Sequence, residues 1–268
     1  MPNEKITICV VSFNDYGFIE NTLYCLRKIT KNPYKVVILD NGSRLKNYKK
    51  LVSCVKKYPE ATLFRKTTNL RGSAAHGTAM NDLTMMVDTP YFGILDADAV
   101  WLIKNWDEIL LARFTEKLKV IGTQDVVGGN RFLDFPTTFA ILFESETFKK
   151  LKIDLRARDI AKGEDTGYEM KGKYLSAGFL GEIIEMKNTR NYKEGPFGDL
   201  VGVGEYYLFG YNHIFASHFG RGSSLGAAKY TKGNFIFKLP VIGKFFRQIK
   251  GAKEKKKWIE TCHNIVNS

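Results

Sequence analysis

The feature that most constrains the fold is an alternation of short apolar, β-branched runs with longer segments of helical periodicity, from residue 6 to about 123. This alternation is typical of βαβ units around a mostly parallel sheet. Right-handed crossovers would bring the carboxyl ends of the strands to one edge. We therefore predict an α/β fold with strands at Ile6–Ser12, Lys35–Asp40, Ala61–Lys66, Tyr91–Leu95 and Lys119–Thr123.

The rest of the chain is divided by glycine and proline into shorter pieces. We predict strands at Thr137–Phe143 and His213–Ser217 and a helix at Ser145–Leu151. With 268 residues, of which 44% are hydrophobic, one core suffices. We expect a single domain over residues 1–240 and a basic amphipathic helix over residues 241–268.

Polar residues follow the first four predicted strands, where each strand ends. They are Asn14-Asp15, Asp40-Asn41-Gly42-Ser43, Asn69-Leu70-Arg71-Gly72 and Asp96-Ala97-Asp98. In open α/β sheets ligands bind outside the carboxyl ends of the strands. The pattern therefore predicts a binding site at this edge.

Two carboxylates, Asp96 and Asp98, come one residue apart at the end of an apolar strand. Both can reach a single hard cation such as Mg²⁺ or Mn²⁺, and such an ion would neutralise a diphosphate leaving group. The alternative is that one carboxylate caps the following helix and the other is solvated.

The runs Val10–Asn14, Leu39–Ser43, Asn69–Ala75 and Leu95–Asp98 occur in an order and spacing that resembles the family 2 glycosyltransferases, inverting enzymes of the GT-A fold. The similarity is good over about residues 5 to 100 and looser to about 225. It implies a nucleotide-diphosphate-sugar donor, a nucleotide-binding half over about 1–123 and an acceptor half over about 124–240.

The resemblance also implies roles for individual residues. Asp40 would hold the nucleobase or ribose, Asp96 the ribose and Asp98 the metal, while Ser12 and Asn14 would line the nucleotide pocket. For Asp40 the alternative is an ordinary turn residue in the sequence Asp-Asn-Gly.

Asn69 and Arg71 lie in a loop just before a helix predicted to begin at Ser73. Main-chain amides at a helix start, together with a guanidinium, suit a pyrophosphate, so we expect both residues to contact the donor. An ordinary exposed arginine is the alternative for Arg71.

Glu164-Asp165 resembles the acidic motif from which this family draws its general base. An inverting transfer needs one carboxylate to take the acceptor proton, and we prefer Asp165, with Glu164 as the competing candidate. The alternative is an acidic first turn of a helix, which the helix dipole favours.

The run His218–Ser223 resembles the late segment that closes the donor site in many relatives. Imidazole is a reasonable ligand for Mn²⁺ and a poorer one for Mg²⁺, so His218 would complete the metal shell. Strand alternation places His213 on the opposite face. Arg221 would reach the diphosphate, and a structural histidine is the alternative for His218.

The net charge is +13, and seven of these charges come from one stretch that holds eight basic residues and the single acid Glu254. The basic residues are Lys238, Lys244, Arg247, Lys250, Lys253, Lys255, Lys256 and Lys257. An anionic partner is implied. The helix would lie on an anionic membrane with Trp258 as an interfacial anchor, or pack on the core with a solvated basic face.

We therefore expect a metal-dependent glycosyltransferase that uses a UDP-sugar and acts on a glycan or lipid-linked precursor of a surface polysaccharide. Four scattered cysteines and the lack of a predicted membrane span indicate a cytoplasmic protein, peripheral on the inner face of the membrane. The alternatives are transfer to nucleic acid bases or protein, and a non-catalytic nucleotide-sugar or nucleic-acid binding module. A nucleotidyltransferase is disfavoured because Ser12–Tyr16 replaces its glycine-rich loop.

Overall fold

The computed structural model describes residues 5–125, 132–231, 235–239 and 242–268. Its strands are β1 (Ile6–Ser12), β2 (Tyr34–Asn41), β3 (Ala61–Lys66), β4 (Tyr91–Asp96), β5 (Ala99–Trp101), β6 (Leu118–Thr123), β7 (Ala140–Glu144), β8 (Leu180–Asn188), β9 (Gly204–Tyr207) and β10 (Ala216–His218). Its α-helices are α1 (Tyr16–Ile29), α2 (Leu45–Val55), α3 (Gly72–Thr84), α4 (Trp106–Leu111), α5 (Ser145–Lys150), α6 (Glu169–Ser176) and α7 (Ile242–Asn267).

The strands form one sheet in the order β3-β2-β1-β4-β7-β6-β8-β9-β10-β5. The pairs β3-β2, β2-β1 and β1-β4 are parallel, as the βαβ pattern predicted. β1 is buried along its whole length because helices cover both faces of the sheet. The predicted α/β fold is confirmed, and the first five predicted strands agree with the structure to within one residue at each end. The sheet is mixed and not mostly parallel as predicted, because the pairs β4-β7, β7-β6, β8-β9, β9-β10 and β10-β5 are antiparallel.

Two later strands differ from their predicted ranges. The strand predicted at Thr137–Phe143 begins only at Ala140, because Thr137 donates both its amide and its hydroxyl to the Thr123 carbonyl. The strand predicted at His213–Ser217 is instead β10, which has three residues because it pairs with the three residues of β5. Strand ends therefore depend on the partner strand as well as on local composition.

The sheet curls so that its far edge returns to its centre. β4 lies in the parallel part of the sheet and β5 at the opposite edge, yet only Ala97 and Asp98 separate them in sequence. The edge formed by β10 and β5 is consequently held beside the carboxyl end of β4. This closure decides which distant residues meet Asp96 and Asp98.

The C-terminal helix α7 packs on α1 through its second half. Trp258 and Cys262 are fully buried there, and Trp258 lies against Phe18 and Phe219. The Trp258 indole donates a hydrogen bond of 2.9 Å to Ser217. The interpretation of Trp258 as an interfacial membrane anchor is therefore wrong, because the core surrounds its ring.

The predicted boundary between residues 240 and 241 lies outside the described residues. Within the described ranges, every helix is too short or too polar to cross a membrane.

Replacing Gly77 with alanine is expected to destabilise the protein by about 1–3 kcal/mol, although alanine favours helices. A Cβ at Gly77 would lie 2.6 Å from the Leu155 carbonyl oxygen and 2.8 Å from the Arg156 Cα, which are backbone atoms that cannot turn away. Urea denaturation measures the effect. Gly172→Ala in α6 is the matched control, since its Cβ meets no atom within 4 Å and the variant should be as stable as the parent or more so. An unchanged Gly77→Ala variant would show that α3 does not press on the chain at residue 155.

Candidate functional site

A cavity of about 1530 Å³ lies at the edge of the sheet where the parallel strands end. Six residues predicted for the site line it, namely Asn69, Arg71, Asp96, Asp98, His218 and Arg221. Among the described residues, the lining does not include the other five, namely Ser12, Asn14, Asp40, Glu164 and Asp165. The structure thus brings part of the predicted set together around one open volume.

Asp96, Asp98 and His218 form a cluster in which one ligand atom from each residue lies within 4.8 Å of the others. The His218 Nε2 is 3.3 Å from Asp98 Oδ1 and 3.6 Å from Asp96 Oδ2. His218 reaches the two carboxylates because β10 pairs with β5 so that His218 is opposite Ala99. Two carboxylate oxygens and one imidazole are a donor set that suits Mn²⁺.

Asp98 is held as an anion by its surroundings. Only 4% of the residue is exposed, and its Oδ2 accepts the amides of Arg221 and Gly222, both at 2.7 Å. Burial favours the neutral acid, but His218 and these amides outweigh it and hold the pKa of Asp98 well below its usual range. The other oxygen, Oδ1, is turned to His218, so one edge of the carboxylate is fixed and the other faces the cluster.

His76 is a residue that sequence reasoning missed. It lies in the second turn of α3, and its Nε2 is 3.1 Å from Asp96 Oδ1. Asp96 is therefore placed between His76 and His218, with one oxygen turned to each ring. The sequence offered one signal: His76 comes five residues after Arg71, and the loop that contains Arg71 was already predicted to contact a ligand.

Three cationic residues line the cavity close together in the fold, although the guanidinium of one of them, Arg221, is itself fully buried. Arg221 is buried against the rings of Phe219 and Tyr230, while Arg190 and Lys229 line the cavity beside it. Burial, and then the charge of Arg221, lower the pKa of Lys229 to about 8. The Arg221 Nε and Nη1 are buried without a hydrogen-bond partner among the described residues. Nothing in the sequence pattern marked Arg190 or Lys229.

Asp40 is fully buried at the end of β2, opposite Ser12 of β1 in the register. Its Oδ2 accepts the Ser43 amide at 3.2 Å and lies 3.4 Å from Arg65 Nε. Asp40 Oδ1 and Ser12 Oγ are buried and have no partner among the described residues. The contact with the Ser43 amide is the turn role considered above, and neither Asp40 nor Ser12 lines the cavity.

Asn14 braces two loops. It has a left-handed backbone with φ of 58°, its amide donates to Ser43 Oγ at 2.7 Å, and its Oδ1 accepts the Arg44 amide at 2.8 Å. The side chain thus ties the loop after β1 to the loop after β2. The neighbouring Phe13, by contrast, lines the cavity.

Asp165 lies in a small pocket beside Thr137 and Gly167, apart from the lining of the large cavity. The carboxylate accepts the Thr166 amide at 2.7 Å, and the Thr166 hydroxyl is 3.5 Å from the carbonyl of Ser73 in the first turn of α3. Because α6 begins only at Glu169, Glu164 and Asp165 precede its first turn. The helix-dipole explanation for this acidic pair therefore does not fit.

Glu254 of α7 holds the loop that grips Asp98. Its Oε2 accepts hydrogen bonds from Arg221 Nη2 at 2.8 Å, the Tyr230 hydroxyl at 3.1 Å and the Val201 amide at 3.2 Å. The Arg221 side chain is fully buried, so the ion pair balances a charge that has no access to water. The C-terminal helix thus contributes to the geometry of the cluster through Arg221.

Replacing Glu254 with glutamine is expected to lower the free energy of unfolding by about 3 kcal/mol, because a buried Arg221 is left without its counter-charge. The melting temperature measured by calorimetry checks this. Glu260→Gln on the same helix removes a largely exposed ion pair with Lys256 at 3.7 Å and should leave the melting temperature nearly unchanged. Equal effects of the two substitutions would contradict the role given to Glu254.

The sequence model of Glycosyl transferase family 2 matches residues 7–167, more than half of the chain. No curated protein sequence matches this chain significantly. Among solved structures, the mannosyltransferase PcManGT from Pyrobaculum calidifontis, in complex with GDP-Man and Mn²⁺, aligns with a TM-score of 0.53 and 16% identity over 68% of this chain and 56% of that one. TarS of S. aureus aligns with a TM-score of 0.49 and 15% identity over 68% and 35%.

The present chain therefore spans 56% and 35% of the lengths of these two structures. The likeness to the mannosyltransferase shows a shared fold, and the predicted GT-A fold is confirmed. Together with the family match over residues 7–167, it shows that this chain belongs to glycosyl transferase family 2.

Proposed function

We propose that the protein is an inverting, metal-dependent glycosyltransferase that moves a sugar from a nucleoside-diphosphate sugar to an acceptor hydroxyl. The observation that carries this proposal is the cluster of Asp96, Asp98 and His218 within a cavity large enough for such a donor. Asp98 and His218 would hold Mn²⁺ or Mg²⁺, which neutralises the diphosphate leaving group when bound. The ionised, amide-anchored carboxylate of Asp98 supports this role.

The nucleoside end of the donor is assigned to Ser12, Asn14, Asp40 and Asp96. Buried Asp40 Oδ1 and Ser12 Oγ can each accept a donor hydrogen, as a base or ribose hydroxyl would provide. Asn14 acts here through the loop that it braces. His76 holds Asp96 in place with a contact of 3.1 Å.

The diphosphate is assigned to the cationic side of the cavity. Asn69 and Arg71 precede α3, whose first residue Gly72 lines the cavity. Arg221 lines the cavity as well, but its fully buried guanidinium pairs with Glu254, so it would act on the diphosphate through its charge and not by direct contact. Arg190 and Lys229 add positive charge there. Charge-assisted hydrogen bonds from Arg71, Arg190 and Lys229 would stabilise the negative charge on the diphosphate as its bond to the anomeric carbon of the sugar breaks.

Asp165 is assigned as the general base, with Glu164 as the competing candidate. The Asp165 carboxylate would take the acceptor proton as the acceptor oxygen attacks the anomeric carbon, and a single displacement inverts the configuration there. The contact of the Thr166 hydroxyl with the Ser73 carbonyl of α3, at 3.5 Å, supports this assignment, because the neighbouring residue Gly72 lines the cavity. Proton NMR of the product would show the anomeric configuration, and retention would overturn this mechanism.

The acceptor is proposed to be a glycan or lipid-linked precursor of a surface polysaccharide, met on the cytoplasmic face of the membrane. The concentration of positive charge in the last 31 residues supports an anionic surface as partner. The domain assignment, with a donor half over about 1–123 and an acceptor half over about 124–240, is part of the same proposal.

The experiment that tests the donor assignment is a thermal-shift screen of UDP-, GDP-, dTDP- and CMP-sugars with Mn²⁺, Mg²⁺ or EDTA. A ligand that binds only the folded state raises the melting temperature. We expect one nucleotide to stabilise the protein in the presence of metal, with UDP-sugars the first expectation. The absence of any shift would favour the alternative of a non-catalytic nucleic-acid binding module.

A further inference from the structure

The first two turns of α7 carry four apolar side chains that the described parts of the chain leave exposed. Ile242, Phe245, Phe246 and Ile249 are 57, 60, 43 and 38% exposed, and their spacing places them on one side of the helix. We call these four residues the apolar stripe. The second half of the same helix is different, since its apolar residues Trp258 and Cys262 are fully buried. Exposed aromatic residues grouped in this way mark an interaction surface.

The apolar stripe is followed along the helix by positive charge. Lys253 and Lys256 continue the same face one and two turns later, and Lys244 flanks it, all three with exposed side chains. Lys256 has only a 3.7 Å contact with Glu260, so its charge is still available to a partner. An apolar tip followed by lysines matches the boundary between acyl chains and anionic headgroups.

Two other partners, a second copy of the chain and nucleic acid, would each fit either the apolar side chains or the positive charge of this surface, but not both. Two copies of the chain that met through the stripe would bring two sets of lysines together and repel each other. Nucleic acid would satisfy the lysines, but its phosphate backbone offers nothing to four apolar side chains. A bilayer with anionic lipids accommodates both features.

The stripe is also next to the candidate active site. A groove of about 450 Å³ separates Phe245 and Ile249 from the loop over residues 223–226. Ser223 lines both this groove and the large cavity, and the loop is continuous with the amides of Arg221 and Gly222 that hold Asp98. A surface docked on the stripe therefore lies beside the rim of the cavity.

We propose that the apolar stripe and Lys244, Lys253 and Lys256 dock the protein on the surface of a bilayer containing anionic lipids. The rim of the cavity at Ser223 then faces a lipid-linked acceptor held in that bilayer, a consequence that rests on the proposed function. Docking itself does not depend on transfer.

Sedimentation of the full chain with vesicles tests the docking. We expect binding to vesicles of phosphatidylcholine with phosphatidylglycerol and at least roughly tenfold weaker binding to phosphatidylcholine alone. Phe245→Ser/Phe246→Ser should weaken binding to the anionic vesicles by roughly tenfold or more, because two aromatic side chains no longer enter the interface. Phe209→Ser is the matched control, since Phe209 is 81% exposed in the turn after β9 and should not affect binding.

A charge test uses Lys244→Glu/Lys253→Glu, which we expect to weaken binding to anionic vesicles by roughly tenfold. Lys46→Glu/Lys49→Glu on α2 makes the same charge change at exposed positions and should weaken binding several-fold less. All four substituted proteins carry changes at the surface, and their melting temperatures confirm that they are folded.

Wild-type protein that stays in solution with anionic vesicles, or stripe variants that bind like Phe209→Ser, would overturn the proposal. A dimer in light scattering that the Phe245→Ser/Phe246→Ser change abolishes would assign the stripe to a second copy, and duplex DNA binding lost in the same variant would assign it to nucleic acid. Vesicle binding by a protein that binds no nucleotide sugar would leave docking intact and reject the proposed function. Nucleotide-sugar binding without vesicle binding would reject docking and leave the proposed function intact.

Discussion

Asp98→Asn is expected to abolish metal-dependent binding of the nucleotide sugar and to reduce transfer by about a thousandfold or more, equivalent to roughly 4 kcal/mol in the barrier. The asparagine amide oxygen can still accept the amides of Arg221 and Gly222, which are 2.7 Å from Asp98 Oδ2, so the loop keeps its position. What the substitution removes is the negative charge that faces His218. A divalent cation held by Asp98 and His218 would then lose its carboxylate ligand.

Isothermal titration of the donor identified in the screen, with Mn²⁺ and with EDTA, measures this loss. Asp134→Asn is the control, because Asp134 is a surface carboxylate that pairs with Lys171 at 2.7 Å. Both variants should be folded, and only Asp98→Asn should lose the difference in donor affinity between Mn²⁺ and EDTA. A variant of Asp98 that binds the donor as tightly as the parent protein in Mn²⁺ would place the metal elsewhere.

Asp165→Asn is expected to spare donor binding and to lower the turnover number by about a hundred- to ten-thousandfold, the range for loss of a positioned general base. Asparagine keeps the size of the side chain, and its oxygen can still accept the Thr166 amide now held at 2.7 Å. The variant loses the negative charge of the carboxylate and with it the ability to take a proton. Transfer rates and donor affinity, measured side by side, separate the two effects.

Two further substitutions identify the base among neighbouring acids. Glu164→Gln should retain most activity if Asp165 is the base, and the opposite ranking would assign the role to Glu164. Asp125→Asn is informative because Asp125 is buried after β6 and lines the large cavity, whereas Asp165 does not. Near-normal turnover of Asp165→Asn together with an inactive Asp125→Asn would move the base to Asp125.

Local pattern was sufficient to predict the parallel half of the fold. β1 and β4 are apolar runs that end in polar residues, so both the strands and their ends were visible in the sequence. The later strands were less accurate because β10 takes its length from β5, more than 100 residues earlier in the chain. The cavity residues Asn69, Arg71, Asp96 and Asp98 were found for the same reason as the strands, since each lies at a strand end or in the loop after it.

The residues that were missed share a different property. Arg190 lies in a turn and Lys229 in a short 3-10 helix, neither of which carries a motif, and His76 lies in a helix, where histidine commonly packs against neighbours. Their place at the cavity depends on how those segments fold back on the sheet. The periodicity and the residue spacing of the sequence do not predict how these segments fold back on the sheet.

By itself, then, the sequence determined the βαβ order, the position of two carboxylates at the end of a buried strand, and the basic amphipathic character of the last helix. These properties are local, because they depend on residues close together in the chain. Only the tertiary structure decided that His218 meets Asp96 and Asp98, since this requires the sheet to curl until β5 pairs with β10. It also decided that Trp258 is buried while Phe245 is exposed on the same helix, because α7 packs on α1 with its second half alone.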